Sequence, residues 1–317
     1  ALNSFFILIA IYLFIIIFLS FYQRKLLYHP SENNYLDETS LNHKVEKVYI
    51  QSENKLVSWN FQKNPKFKTL LFFHGNAGRL DNRIYKLNEL AKLDLNYLII
   101  AYRGFSGNKG NPTEMGLYKD AKAAKDWLNN QGIDDQNIIL YGESLGTAIA
   151  IDLGKSFKFS GIILESPFTS MEKLAKKYYP IFPIKMILKD KYDSLEKIKE
   201  INFPILVMHG EKDTIVPFSM GVKIYENANS PKSKYFIKYD DHMMNFDQNL
   251  VKAIEKFINN SYENKVSKII VVTGKGLHSD VEKDPYVSKD LSILKYSVPE
   301  FIKNNTELMK KIIEIKD

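Results

Sequence analysis

Hydrophobic and polar positions divide this chain into stretches of different character. Residues 1–23 carry no charge, and 5–21 are almost wholly apolar. As a helix, 23 residues rise about 34 Å, enough to cross a hydrocarbon core of about 30 Å. From residue 45 the pattern shortens. Alternation over 45–51 and 56–62 predicts a hairpin turning at Glu53-Asn54. Continuous apolar runs at 69–73, 97–101, 138–140, 161–165, 204–208 and 235–239 predict buried strands. Helix-period segments follow them at 79–93, 113–130, from 144 onward, 218–227 and 246–258. Buried strands alternating with amphipathic helices predict an α/β fold: a mostly parallel sheet, helices on both faces, the hairpin at an antiparallel edge.

These patterns give an order of domains. Residues 1–25 read as a transmembrane anchor, 26–44 as a linker, 45–260 as the α/β domain and 261–317 as a short α/β extension. The competing reading of the first segment is a cleaved signal peptide. Bulky Phe21, Tyr22 and Gln23 stand where a small-x-small cleavage site would be, which favours an uncleaved single-pass anchor. Arg24 and Lys25 follow the span and place the main domain on the cytoplasmic side. Residues 170–200 break the strand–helix rhythm, with Tyr178, Tyr179, Ile181, Phe182 and Met186 around Pro180 and Pro183. They read equally as a packed helical connection or as a lid over an acyl-binding cleft.

Composition changes this picture little. The 45% hydrophobic content supports a sizeable core, and the absence of cysteine excludes disulfides and thiolate metal sites. A net charge of +7 spread along the chain suits a membrane surface better than a nucleic-acid groove. The six histidines form no H-x-x-x-H or H-E-x-x-H pair, and no phosphate-binding glycine motif occurs, so neither metal nor cofactor is expected.

The chemistry lies in polar clusters at predicted strand ends, where ligands bind in open α/β sheets. Gly142-Glu143-Ser144-Leu145-Gly146 spells G-x-S-x-G between a strand and a helix, the setting of a nucleophile elbow. A serine hydroxyl needs a base within reach, and the base needs an acid to fix its tautomer. Asp213 and then His242 follow in that order, each after a strand. Glu165, also at a strand end, is the rival acid. Leu145 N–H is one expected oxyanion donor, and Asn76 or Ala77, in His74-Gly75-Asn76-Ala77-Gly78, is the other. His74 and His209 are expected to brace their loops, and His29 to be a surface residue.

As a set, H-G-N-A-G at 74–78, Y-R-G-F-S-G at 102–107, G-E-S-L-G at 142–146, E-S-P-F-T-S at 165–170, H-G-E-K-D at 209–213 and the late His242 resemble the serine aminopeptidase-like α/β-hydrolases, the abhydrolase-domain proteins. The apolar span followed by Q-R-K-L-L-Y-H-P at 23–30 resembles their membrane-anchored branch. The resemblance covers residues 5–260 and implies the α/β-hydrolase fold with Ser144, Asp213 and His242 as catalytic triad. Residues 266–302, with T-G-K-G-L-H-S, resemble the second half of an Smr domain, a nucleic-acid-associated module. Ten lysines against nine acidic residues over 261–317 leave no basic patch, so nucleic acid is not an expected partner.

The resulting expectation is a serine hydrolase that cleaves an ester, thioester or related acyl bond of a small-molecule or lipid-like substrate through an acyl-enzyme. Two alternatives stand beside it: a serine peptidase of narrow specificity, and a non-catalytic hydrolase-fold scaffold at the membrane.

Overall fold

The computed structural model describes residues 2–31 and 38–263. The Smr-like extension expected after residue 260 lies almost wholly outside these residues. An apolar helix α1 (Leu2–Leu27) is followed by a two-residue strand β1 (His29–Pro30), then by β2 (Glu46–Gln51), β3 (Lys55–Phe61), β4 (Thr69–Phe73) and the short β5 (Ala77–Gly78). Next come α2 (Ile84–Leu90), β6 (Asn96–Ile100), α3 (Glu114–Asn130), β7 (Ile138–Glu143), α4 (Leu145–Ser156) and β8 (Gly161–Glu165). The chain continues through α5 (Met171–Tyr178), α6 (Ile184–Ile187), α7 (Ser194–Lys197), β9 (Ile205–Gly210), α8 (Phe218–Asn227), β10 (Lys232–Ile237) and α9 (Gln248–Glu263).

Eight strands form the main sheet in the order β10-β9-β8-β7-β4-β6-β3-β2. Only β3 runs against the others, pairing antiparallel with β2 and β6. The mostly parallel sheet and its antiparallel hairpin edge are as expected from the alternation of runs. Strand register follows the side-chain period of two. Leu71 and Phe73 of β4 pack into one apolar cluster with Leu117, Ala121 and Ala124 of α3 and Ile149 of α4. Leu70 and Phe72 pack into the other, with Leu87 and Leu90 of α2 and Leu250 and Ile254 of α9. Both faces are therefore buried, which is why these strands read as continuous apolar runs.

The order of strands locates the site. From β4 the chain moves outward to β6, then returns past β4 to β7. The loops after β4 and β7 thus leave in opposite senses, and open α/β sheets bind ligands at such a switch point. Those loops hold residues 74–78 and Ser144.

Two elements differ from the sequence reading. The helix expected over 79–93 is a 3₁₀ turn at Leu80–Arg83 followed by α2, and Arg83 at their junction turns inward to an ion pair. Residues 26–31 of the expected linker are pinned: Tyr28 is buried, and β1 pairs in parallel with β5. Its His29 is exposed, as expected. The 170–200 segment forms α5, α6 and α7, and its α6 packs on α1.

Candidate active site

β7 runs buried to Glu143, and α4 begins at Leu145. Ser144 joins them with φ 51° and ψ −113°, a left-handed conformation that costs a residue with a Cβ of order 1–3 kcal/mol. The turn is held by the Ser144 N–H, which donates to Glu165 O at 2.9 Å, and by Thr147, whose N–H and hydroxyl donate to Ser144 O at 3.0 and 2.6 Å. Glycines flank it for lack of room. A Cβ on Gly146 would overlap the carbonyl of Phe73, and one on Gly142 would overlap the Gly146 carbonyl.

Three side chains from separate loops meet here. His242 Nε2 lies 3.0 Å from Ser144 Oγ, and His242 Nδ1 lies 2.7 Å from Asp213 Oδ2. The carboxylate only accepts, so Nδ1 carries the proton and Nε2 is left as an acceptor toward the serine hydroxyl. Burial works against the charge on Asp213. Hydrogen bonds from His209 and His242, with the Val216 N–H, outweigh it and hold the carboxyl well below its ordinary range. The Ile215 and Val216 N–H groups donate to Asp213 Oδ1 at 2.8 and 2.7 Å.

The expected oxyanion donors belong to the start of α4 and to the loop after β4. Leu145 opens α4, so its N–H has no intrahelical acceptor. The Asn76 side chain is occupied, since its Nδ2 donates to Leu27 O at 2.7 Å, which leaves only its main-chain N–H for such a role. Asn76 O accepts from His29 N–H at 2.8 Å, so the end of α1 and β1 hold this loop from outside. Gly75 N–H donates to Glu143 Oε1 at 3.2 Å and holds it from inside.

The rival acid Glu165 points elsewhere. It is fully buried, accepting from Lys86 Nζ and from Tyr141 OH, each at 2.5 Å. Lys86 also reaches Glu143 Oε2 at 2.8 Å, and Arg83 Nη2 reaches Glu143 Oε1 at 2.6 Å. Burial raises the Glu165 carboxyl above its ordinary range. For Glu143 burial acts in the same direction, but the Arg83 and Lys86 cations prevail and hold it well below. Sequence reading missed this cluster. One signal was available: Arg83 and Lys86 fall within the apolar stripe of Leu80, Leu87 and Leu90.

Both bracing histidines are buried. His74 Nδ1 donates to Gly75 O at 2.7 Å, with its ring against Tyr102 and Phe105. Burial first, then the Arg83 charge, pushes its pKa down to about 3. His209 Nε2 faces Asp213 Oδ2 at 3.0 Å and Val216 O at 3.1 Å, both acceptors, so Nε2 carries the proton. Ser166 was also missed. It too has positive φ, 52°, and its hydroxyl donates to His242 O at 3.0 Å, fixing the histidine loop. Among the described residues no cluster of His, Asp and Glu is arranged to hold a metal ion.

Comparison with known proteins bears on the fold and the family. An uncharacterized protein of Mycobacterium tuberculosis is 34% identical over 223 residues, covering 69% of this chain and 79% of the relative. The human alpha/beta hydrolase domain-containing protein 17B is 33% identical over 189 residues, covering 56% of this chain and 61% of that protein. The solved structure of an esterase from Pyrococcus furiosus superposes with a TM-score of 0.60 at 19% identity, covering 74% of this chain and 97% of the esterase. The α/β-hydrolase fold is thereby shared. A model of the Smr domain matches residues 240–314, beginning in the loop that carries His242 and running through α9 into the extension. A model of the prolyl oligopeptidase family matches residues 87–260, which is more than half of the chain and includes Ser144, Asp213 and His242. The chain is a hydrolase-fold protein and belongs to the prolyl oligopeptidase family.

Proposed function

We propose that this protein is a serine hydrolase that cleaves an ester, thioester or related acyl bond of a small or lipid-like substrate through an acyl-enzyme. The observation that carries the reading is the row Asp213–His242–Ser144, at 2.7 and 3.0 Å, with the tautomer of His242 set by the carboxylate. Ser144 Oγ attacks the acyl carbon while His242 Nε2 takes its proton. The charge on Asp213 stabilises the imidazolium that forms. The oxyanion is met by the Leu145 N–H and a main-chain N–H of the 76–77 loop. His242 then protonates the departing alcohol or thiol. It next deprotonates a water that hydrolyses the acyl-enzyme and releases the free acid with Ser144 restored. No cofactor enters this sequence.

In this reading α1 is a membrane anchor and the hydrolase domain lies on the cytoplasmic side, after Arg24 and Lys25. An apolar helix long enough to cross a bilayer, uncharged up to Gln23, supports the anchor. The test of the chemistry is labelling with a fluorophosphonate, which reacts with activated serines. Labelling that disappears in Ser144→Ala, with kcat reduced by roughly 10⁴-fold and folding retained, is the expected result. A folded wild-type protein that takes no label sinks the reading and favours a scaffold. A second reading, a peptidase of narrow specificity, is favoured by the family match. A panel of p-nitrophenyl esters of varied chain length, run beside a peptide amide, separates the two.

A further inference from the structure

The segment after β8 carries a surface that the chemistry at Ser144 does not use. Between α5 and α6 the loop at 179–183 projects Ile181, 72% exposed, and α6 projects Met186, 86% exposed. Tyr178 and Tyr179 are exposed beside them. Over residues 171–191 six lysines stand against two acidic residues, and one of those, Asp190, is buried in an ion pair with Arg24. Apolar and aromatic side chains rimmed by lysines make the composition of an interfacial membrane-binding element.

The same segment is fastened along α1. Arg24 pairs with Asp190 at 2.8 Å, and Gln23 Nε2 donates to Ile187 O at 2.8 Å. Further along the helix, Tyr12 OH donates to Ile181 O at 2.7 Å, and its ring stacks on Phe182 at 5.8 Å. Tyr12 and Arg24 are twelve residues apart, about 18 Å along a helix axis. A segment held against both cannot stay outside a bilayer that α1 crosses, since Tyr12 lies well inside a hydrocarbon core of about 30 Å.

Most of the loop's backbone N–H groups are absent or paired, the Ile181 N–H excepted. Irregular backbone at hydrocarbon depth must satisfy its own polar groups. Pro180 and Pro183 have no N–H to satisfy. The N–H groups of Tyr179, Phe182 and Ile184 donate to Ala175 O, Tyr179 O and Phe182 O, and Ile181 O is taken by Tyr12.

We infer that the α5–α6 tip, Tyr179 to Met186, is a second membrane-inserting element that enters the bilayer beside α1. The surface also adjoins the reacting groups. Tyr178 OH lies 2.8 Å from Thr214 O and 2.6 Å from Ile215 O, on the loop that carries Asp213. The occupant of the surface is lipid, and the inference rests on the reading of α1 as an anchor.

The chain contains no cysteine, so single cysteines can be placed and spin-labelled in the chain as it stands. Three variants reconstituted in phosphatidylcholine–phosphatidylglycerol vesicles decide the matter: Ile181→Cys at the tip, Phe14→Cys on α1, and Lys158→Cys ahead of β8, at the sheet end opposite Ser144. Accessibility of each label to oxygen and to a water-soluble nickel chelate is read. Wild-type thermal unfolding profiles show that each variant has folded. Oxygen-rich, nickel-poor labels at both 181 and 14, with the reverse at 158, are expected. A label at 181 that matches 158 while 14 reads lipid overturns the inference and leaves the anchor standing. A label at 14 that matches 158 overturns both.

Discussion

His209 Nε2 sits 3.0 Å from Oδ2 of Asp213, the same oxygen that faces His242. That carboxylate oxygen therefore lies between two imidazoles, one buried and one toward the serine. His209 is too far along the row to meet a substrate. In the proposed mechanism it is a positioning residue, fixing where Asp213 points.

His209→Phe removes one hydrogen bond to a charged acceptor and leaves those from Ile215 and Val216. Stability falls by about 2 kcal/mol. The turnover of an ester falls by about tenfold through looser aim of His242, with KM unchanged. Denaturant unfolding and steady-state kinetics on one preparation read both effects. An unchanged kcat would assign His209 to stability alone.

Ser144 pays for its exposed hydroxyl in backbone strain, with φ 51°. Glycine meets no such penalty. Ser144→Gly abolishes hydrolysis and raises stability by about 1 kcal/mol relative to Ser144→Ala. Comparing denaturant midpoints of the two variants checks this, and equal midpoints would show that the turn is not strained.

Arg83 joins two sides of the site, since Nη2 holds Glu143 and Nη1 donates to Ala77 O at 2.8 Å. Arg83→Leu leaves Glu143 with Lys86 and the Gly75 N–H, and removes one of the bonds that hold the 75–78 loop. A destabilisation of about 3–5 kcal/mol is expected, because one partner of a buried ion cluster is lost. Fluorophosphonate labelling should slow even where the variant is folded, which separates loop positioning from stability.

The histidine at the end of β4 makes the fold acid-sensitive. With the pKa of His74 near 3 in the folded chain, against about 6.5 unfolded, only the unfolded chain takes up this proton between those values. Stability is whole above about pH 6.5 and is lost as pH falls toward 3. Between pH 7.5 and pH 5 the loss from this group is about 2 kcal/mol. In His74→Gln the drop over that interval should be smaller by this amount, as read by denaturant unfolding in mild detergent at each pH.

Much of this was legible in the chain because it is written in local pattern. The β4 run Thr69–Phe73 marks the strand it forms, and the alternation at 45–51 and 56–62 marks β2 and β3 to within one residue at each end. G-E-S-L-G, Asp213 and His242 stand at strand ends, and a parallel sheet brings strand ends together. What was not legible depends on partners far apart in sequence. Asp190 meets Arg24 across 166 residues, and Glu143 meets Arg83 across 60. Nothing local to Asp190 says that it is buried, and Tyr28 looked like linker for the same reason. Glu165 looked like a candidate acid because its place at a strand end was visible and Lys86 beside it was not.

The pairing of β1 with β5 bears on how this protein can be handled. The residues that close α1 are also the outer wall of the 76–78 loop, through Leu27 O, His29 N–H and the His29–Ala77 register. A water-soluble fragment cut at residue 44, at what reads as a convenient boundary, would keep Asp213, His242 and Ser144 and still lack part of the wall around the 76–78 loop, where the proposal puts an oxyanion donor. Rates measured on such a fragment would describe a damaged catalyst. Kinetic work on this hydrolase calls for the whole N-terminal segment, in detergent or in lipid.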